Sequence, residues 1–190
     1  MYATREERQG NVPDIHHLRN NGVIWGNLEA LGQMQVVLEA LDDKTYSHIA
    51  KPHVQSSIGS HVRHINDLYL ALFNGVKGNQ IDYDQRRRGH EIETNRATAI
   101  AETAELAEWI TTLNFPHSDT DEVSVLTETT LATNTISAVS SNWAREWVFV
   151  ATHAVHHLAI IRIAAGLQGI VLPVEVGIAA ATASFIRGDR

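Results

Sequence analysis

Cysteine is absent from the 190 residues. Disulfides are excluded, and so are a thiol nucleophile and a thiolate metal ligand supplied by the protein. Any thiol chemistry must bring its sulfur with the substrate. Positive charge is scarce: 15 Lys and Arg stand against 22 Asp and Glu, a net charge of −7. Neutralising phosphates takes clustered cations, so this balance argues against a nucleic-acid partner. The one basic cluster, Arg86-Arg87-Arg88, is short and set among Asp82, Asp84 and Glu91. No uncharged apolar stretch reaches membrane-spanning length, since Arg145, the histidines and Arg162 interrupt the longest candidate. The N-terminus opens polar and mixed in charge, with no signal-peptide pattern. These absences predict a cytoplasmic protein with no membrane partner. There is also no internal repeat and no low-complexity tract.

What is present is a normal apolar content of 44% and a length that suits one compact domain with a real core. Histidine is abundant, with 11 in the chain, and five of them fall in two short segments. His153, His156 and His157 lie within five residues, inside a long apolar run from Trp143 to Leu167. His61 and His64 lie on another apolar segment.

Apolar spacing predicts four helices. Residues 24–42 carry Ile24, Leu28, Leu31, Met34, Val37, Leu38 and Leu41, one buried stripe that Asp42-Asp43 ends. Residues 55–75 carry Ile58, Val62, Ile65, Leu68, Leu72 and Phe73, capped by Ser56 or Ser57 and stopped at Asn74-Gly75. Residues 96–113 carry Ala97, Ile100, Ala104, Leu106, Ala107, Ile110 and Leu113, closing near Asn114 and Pro116. The fourth helix runs from about Asn142 to Leu167. Between the third and fourth, residues 117–142 are rich in threonine, serine and valine, which suits a hairpin turning near Leu131 to Asn134. Residues 1–22 read as an N-terminal arm with at most a short helix around His16 to Arg19, residues 76–95 as a polar connection, and residues 171–190 as an irregular strap. The expected class is all-α: a four-helix bundle over residues 23–170 with a small β-hairpin inserted before the last helix.

His153 and His157 are four apart, so on a helix they stack on one face and offer half of a divalent metal site. They are not a zincin motif, because no Glu lies between them to act as base. From the second helix the wheel leaves His61 and His64 both open: position 61 lines up with Ile65, Leu68 and Leu72, position 64 with Leu68 and Ala71. The competing reading for each is an ordinary helix histidine bonded to backbone or solvent.

His64-Ile65-Asn66-Asp67 on the second helix, the HxxHH element from His153 to His157 and the order of the helices resemble the DinB / YfiT-like superfamily of metal-dependent proteins. The resemblance spans about Trp25 to Leu167. It implies an up-down-down-up four-helix bundle and a metal triad of His64, His153 and His157, with zinc or nickel as the ion. Many members follow the last histidine with Arg-Gly-Gln; this chain has Leu158-Ala159-Ile160 and resembles a subgroup with Arg145-Glu146-Trp147 before the last pair. Some relatives are S-transferases that use a low-molecular-weight thiol cosubstrate, and others are hydrolases or isomerases. The resemblance therefore implies a metal-dependent enzyme such as a thiol S-transferase acting on small electrophiles. The alternatives are a hydrolase, a non-catalytic metal-binding or stress-related module, and a bundle that has lost its metal.

Around the triad, Asp67 is three residues beyond His64 and is a candidate partner for its ring. Glu146, two turns before His153, is a candidate outer partner or general base. His61 and His156 are candidates for proton transfer or outer contacts. Arg86 and Arg87, with Tyr83, sit in a connection that can reach over the site, and arginine forks carboxylates well. They are candidates for holding the acidic end of a substrate or thiol cosubstrate. Bundles of this kind often pair through an apolar face, so a homodimer is expected.

Overall fold

A computed structural model describes residues 21–112 and 121–189. In chain order these form α1 (Gly22–Ala40), a short α2 (Asp43–Ser47), α3 (Ile58–Gly78), β1 (Gln80–Asp82), a 3-10 turn at Glu91–Glu93, α4 (Arg96–Thr112), β2 (Glu122–Glu128), β3 (Ile136–Asn142), α5 (Trp143–Gly166) and α6 (Ala180–Arg187). The chain is mostly helical, with one small three-stranded sheet. Nearly all of the expected N-terminal arm, the helix around His16 to Arg19, and Leu113, Asn114 and Pro116 lie outside the described residues.

Each long helix starts where a side chain satisfies its free amides. Asn21 Oδ1 accepts from the amides of Val23 (3.2 Å) and Ile24 (3.3 Å) at the head of α1. Ser57 Oγ accepts from the Ser60 amide (3.1 Å) at the head of α3, and Asn142 Oδ1 from the Arg145 amide (2.9 Å) at the head of α5. Such caps contribute about 1 kcal/mol each. The stripes then drive packing. Ile24, Leu31, Met34 and Leu38 of α1, Ile58, Val62, Ile65 and Leu72 of α3, and Trp143, Val150, Leu158 and Ile161 of α5 are all buried. Each stabilises the fold by roughly 1.5–3 kcal/mol before its ordering entropy is counted. In α4 the buried residues are Ala99, Thr103, Leu106 and Ile110, whereas Ala97 and Ala104 face solvent. Alanine marks a stripe poorly, and the true face is turned from the expected one.

α1 packs on α4 and α5, and α3 packs on the same two helices. Three polar clasps pin two of these contacts, α1 with α5 and α1 with α4. Asn27 Nδ2 donates to the Trp147 carbonyl (3.2 Å), Gln35 Nε2 to the Ile100 carbonyl (3.2 Å), and Arg96 Nη1 to the Leu38 carbonyl (2.9 Å). By length and composition, among the described residues, α5 alone would cross a membrane, but it lies against α1 and α3.

The hairpin is present: β2 pairs antiparallel with β3 from Glu122↔Asn142 to Glu128↔Ile136. The connection over residues 76–95 corrects the expectation of an all-helical frame with a lone hairpin. It contains β1, which pairs parallel with β2 through Ile81↔Val125. Only three residues long, with Ile81 its one buried side chain, β1 shows no readable period. α3 does not stop at Asn74-Gly75 but runs to Gly78, and Asn79 then takes the left-handed conformation (φ 51°). Gly75 is a packing glycine: a Cβ there would stand 2.8 Å from Ile81 Cγ1 and 3.4 Å from Trp143 Cη2. α2 was also unforeseen; Asp42 caps it by accepting from the Thr45 amide (2.7 Å) and it buries Tyr46.

The C-terminal tail begins as a strap, with Leu172 and Val176 buried and the Val174 carbonyl accepting from Arg162 Nη1 (2.9 Å). It ends as α6, a correction to the expected irregular tail. Gly177 fixes the strap. It has φ +76°, and a Cβ there would fall 2.4 Å from the Ala159 nitrogen. Its amide donates to Gln33 Oε1 (2.9 Å). Gly177→Ala is expected to cost about 1–3 kcal/mol, read as a lower midpoint in thermal unfolding; an unchanged midpoint would mean that the strap does not bear on α5.

Candidate metal centre

α3 and α5 bring their histidines together. His64 Nε2 lies 3.0 Å from His153 Nε2, and His157 Nε2 lies 3.0 Å from His153 Nε2. The His64 and His157 rings meet edge-on with centroids 4.5 Å apart. All three rings are half-buried, and their ligand atoms lie within 4.8 Å of one another. The two positions left open on the second helix are now separated: His64 faces the triad with Nε2, while His61 stands behind it. His61 Nδ1 lies 2.9 Å from His157 Nδ1, on the opposite side of that ring from the triad. His156 is exposed, with its ring 5.5 Å from that of His157.

Hydrogen bonding alone does not satisfy this arrangement. A ring nitrogen has one in-plane position, which either donates one proton or accepts one. His153 Nε2 faces two other nitrogens at 3.0 Å, so with neutral rings it serves one of them and opposes the other. A shared cation removes the conflict, because all three nitrogens then point lone pairs at it. A tetrahedral ion bound at about 2.0–2.1 Å requires nitrogens about 3.3 Å apart. The two spacings at His153 are within a few tenths of an ångström of that value, and all three ligand atoms lie within 4.8 Å of one another, so the donor set can hold a divalent ion. The His61 contact supplies what a ligating imidazole needs on its other nitrogen, a partner that fixes its tautomer.

Burial keeps the rings neutral, which is the form that binds metal. It lowers His64 from the ordinary 6.5 to about 4, helped by the positive charge of Arg86, and lowers His157 to about 3, helped by the neighbouring histidines. His61 and His153 are lowered as well, again mainly by burial.

The other sequence candidates are placed as follows. Asp67 is buried but serves arginines. Its carboxylate accepts from Arg63 Nη1 (3.1 Å), Arg87 Nε (2.6 Å) and the Arg87 amide (3.0 Å). Arg87 also forks Glu102, with Nη1 to Oε2 at 2.7 Å and Nη2 to Oε1 at 2.8 Å. Arg63 reaches Glu93 through Nε (2.8 Å). Arg86 makes one long pair with Asp84 (3.6 Å). Glu146 is fully buried rather than on a solvated face. It accepts from the Tyr83 hydroxyl (2.8 Å), the Ser141 hydroxyl (2.5 Å) and Arg145 Nη1 (2.9 Å). The Tyr83 ring rests against Phe149 (centroids 5.2 Å apart), and Phe149 rests against His153 (5.4 Å).

Sequence reasoning missed Arg63, Glu93 and Glu102 as participants. The i,i+4 spacing of Arg63 and Asp67 was the available signal; Glu93 and Glu102 arrive from separate elements and left none. Comparisons with protein-family models, with curated proteins and with solved structures found no match to this chain.

Two outcomes follow. Asp67→Ala removes one partner from each of two guanidinium groups, which keep Glu93 and Glu102, and is expected to destabilise the protein by about 1–3 kcal/mol, measured by urea unfolding. Histidines whose pKa is lower when folded bind fewer protons in the folded state, so folding stability falls as pH falls. For the metal-free protein the loss starts near the ordinary value of 6.5 and continues down through about 4 for His64 and about 3 for His157. Urea midpoints between pH 7.5 and 5 should decline in the parent and decline less in His157→Ala; equal slopes would show that His157 is not held neutral by the fold.

Proposed function

We propose that this chain is a divalent-metal protein of the DinB-like type, with His64, His153 and His157 as ligands for zinc or nickel. The observation that carries the reading is the convergence of three Nε2 atoms, with His153 Nε2 3.0 Å from each of the other two. The four-helix, up-down-down-up arrangement belongs to the same reading, and the clasps support it. Asn27 with Trp147 matches the start of α1 to the start of α5, so these two run the same way. Leu38 with Arg96, and Gln35 with Ile100, match the end of α1 to the start of α4, so these oppose. His64 with His153, and Gly75 with Trp143, make α3 oppose α5.

The proposed activity is that of a metal-dependent enzyme acting on a small molecule, with thiol S-transfer to an electrophile as the reaction. Three protein ligands leave a tetrahedral ion one open position, the pattern of catalytic rather than structural sites. When bound, zinc or nickel supplies Lewis acidity that lowers the pKa of a water or of a thiol brought by a cosubstrate. The protein's own parts have separate tasks. The three imidazoles hold the ion, and His61 fixes the tautomer of His157. Glu146 is a positioning group rather than an acid–base group: its carboxylate is taken up by Tyr83, Ser141 and Arg145, and the Tyr83 ring backs Phe149, which rests against His153. The lack of cysteine agrees with a thiol that arrives from outside.

Elemental analysis of purified protein is expected to find one zinc or nickel per chain. His157→Ala should abolish that stoichiometry while the circular dichroism stays helical. Metal content unchanged in His157→Ala would sink the assignment.

A further inference from the structure

Arg86 and Arg87 are sequence neighbours in opposite situations. Arg87 is fully engaged: Nε and the amide serve Asp67, and both terminal nitrogens fork Glu102. Arg86 has a single ion pair, at 3.6 Å from Asp84, and about a third of its side chain (35%) is exposed. That separation is well beyond the 2.7–2.9 Å of a good charge-assisted hydrogen bond. Asp84 is itself drawn elsewhere, since its other oxygen accepts from the Glu128 amide.

Arg86 also stands beside the histidines. Its positive charge helps to lower the pKa of both His64 and His153. On its other side Arg86 lines a cleft of about 460 Å³ together with Leu70, Ala71, Asn74, Gln80 and Gln85. His64, Asp67, Ala71 and Asn74 follow one another at spacings of three and four, so they share one face of α3. The cleft therefore opens along the same stripe that presents His64, starting one helical turn away.

We propose that this cleft is the substrate pocket of the metal centre, and that Arg86 holds in it a carboxylate of a small-molecule substrate. The inference rests on the metal-centre reading above and names the class of molecule the centre accepts. The volume lies in the range of small-molecule pockets. Two other charged groups line the cleft besides the arginines. Asp67 is neutralised by Arg63 and Arg87, and Asp82 has one oxygen held by the Asp84 amide (2.9 Å). Arg86 is thus the guanidinium with donors to offer. A planar fork suits a carboxylate, and the side-chain amides of Asn74, Gln80 and Gln85 can supply further hydrogen bonds. An entering carboxylate replaces the distant Asp84 with a close bidentate partner.

The test is calorimetric titration with succinate, performed on zinc-loaded and on chelator-treated protein, with zinc measured in every sample. The parent should bind succinate in both states. Arg86→Ala should weaken binding about tenfold or more and leave zinc content unchanged. Arg86→Lys should fall between them, because an ammonium cannot fork. Asp84→Asn, which removes the competing charge but keeps an acceptor for the Glu128 amide, should tighten binding. Succinate binding as tight in Arg86→Ala as in the parent, or no binding to the parent, overturns the proposal. Absence of zinc from the parent would defeat the metal reading alone, since the titration of metal-free protein still decides the role of Arg86.

Discussion

The site depends on the axial register between α3 and α5. Two histidines four apart on one helix give two ligands whatever else the chain does. The third must come from another helix, and a slip of one turn, about 5.4 Å, would carry His64 out of reach. The register is held at two distant points. Near the middle of α5 the three imidazoles meet. At its start, Trp143 lies against Gly75 of α3, where the missing side chain allows the close approach. Two contacts eleven residues apart on α3 fix both sliding and tilt. The apolar stripes supply the attraction, but they alone would tolerate a shift; the glycine contact and the rings specify one alignment.

A second layer of order comes from the buried charges. Asp67 ties α3 to the connection after β1 through Arg87, and Glu102 ties the same arginine to α4. Glu93 takes the remaining side of Arg63. Each group has an opposite charge close by, which is the condition under which such groups are tolerated away from water. The result is a connection tied down at residue 87, with residue 86 beside it lining the cleft. One arginine is structural because it is saturated, and its neighbour remains available because it is not.

Much of this was readable from the chain. The four long helices, a serine cap at 56 or 57 and the hairpin follow from stripes and turn residues that act locally. The i,i+4 histidines on α5 were also readable, because helical geometry alone brings them together. The helix wheel did not choose His64 over His61, since both sit near the apolar edge of α3; the choice came from the resemblance, and the grouping of His64 with His153 and His157 agrees with it. β1 escaped because three residues with one buried isoleucine carry no period. The face of α4 was misjudged because alanines fit either side of a helix, and the burial of Thr103 breaks the apolar pattern. The burial of Glu146 was not legible, because its partner Tyr83 is 63 residues away. What escaped was set by contacts between distant elements, whereas what was legible was set within a few residues.

β3 ends and α5 begins without an intervening loop: Asn142 closes the ladder opposite Glu122 and caps the helix in the same position. The hairpin is therefore a handle on the helix that carries His153 and His157. Ser141 grips Glu146 one turn in, so a twist of the sheet is transmitted as rotation of α5 about its own axis. A rotation of a few degrees there would sweep His153 and His157 together, as spokes on one shaft, while His64 stayed where α3 holds it.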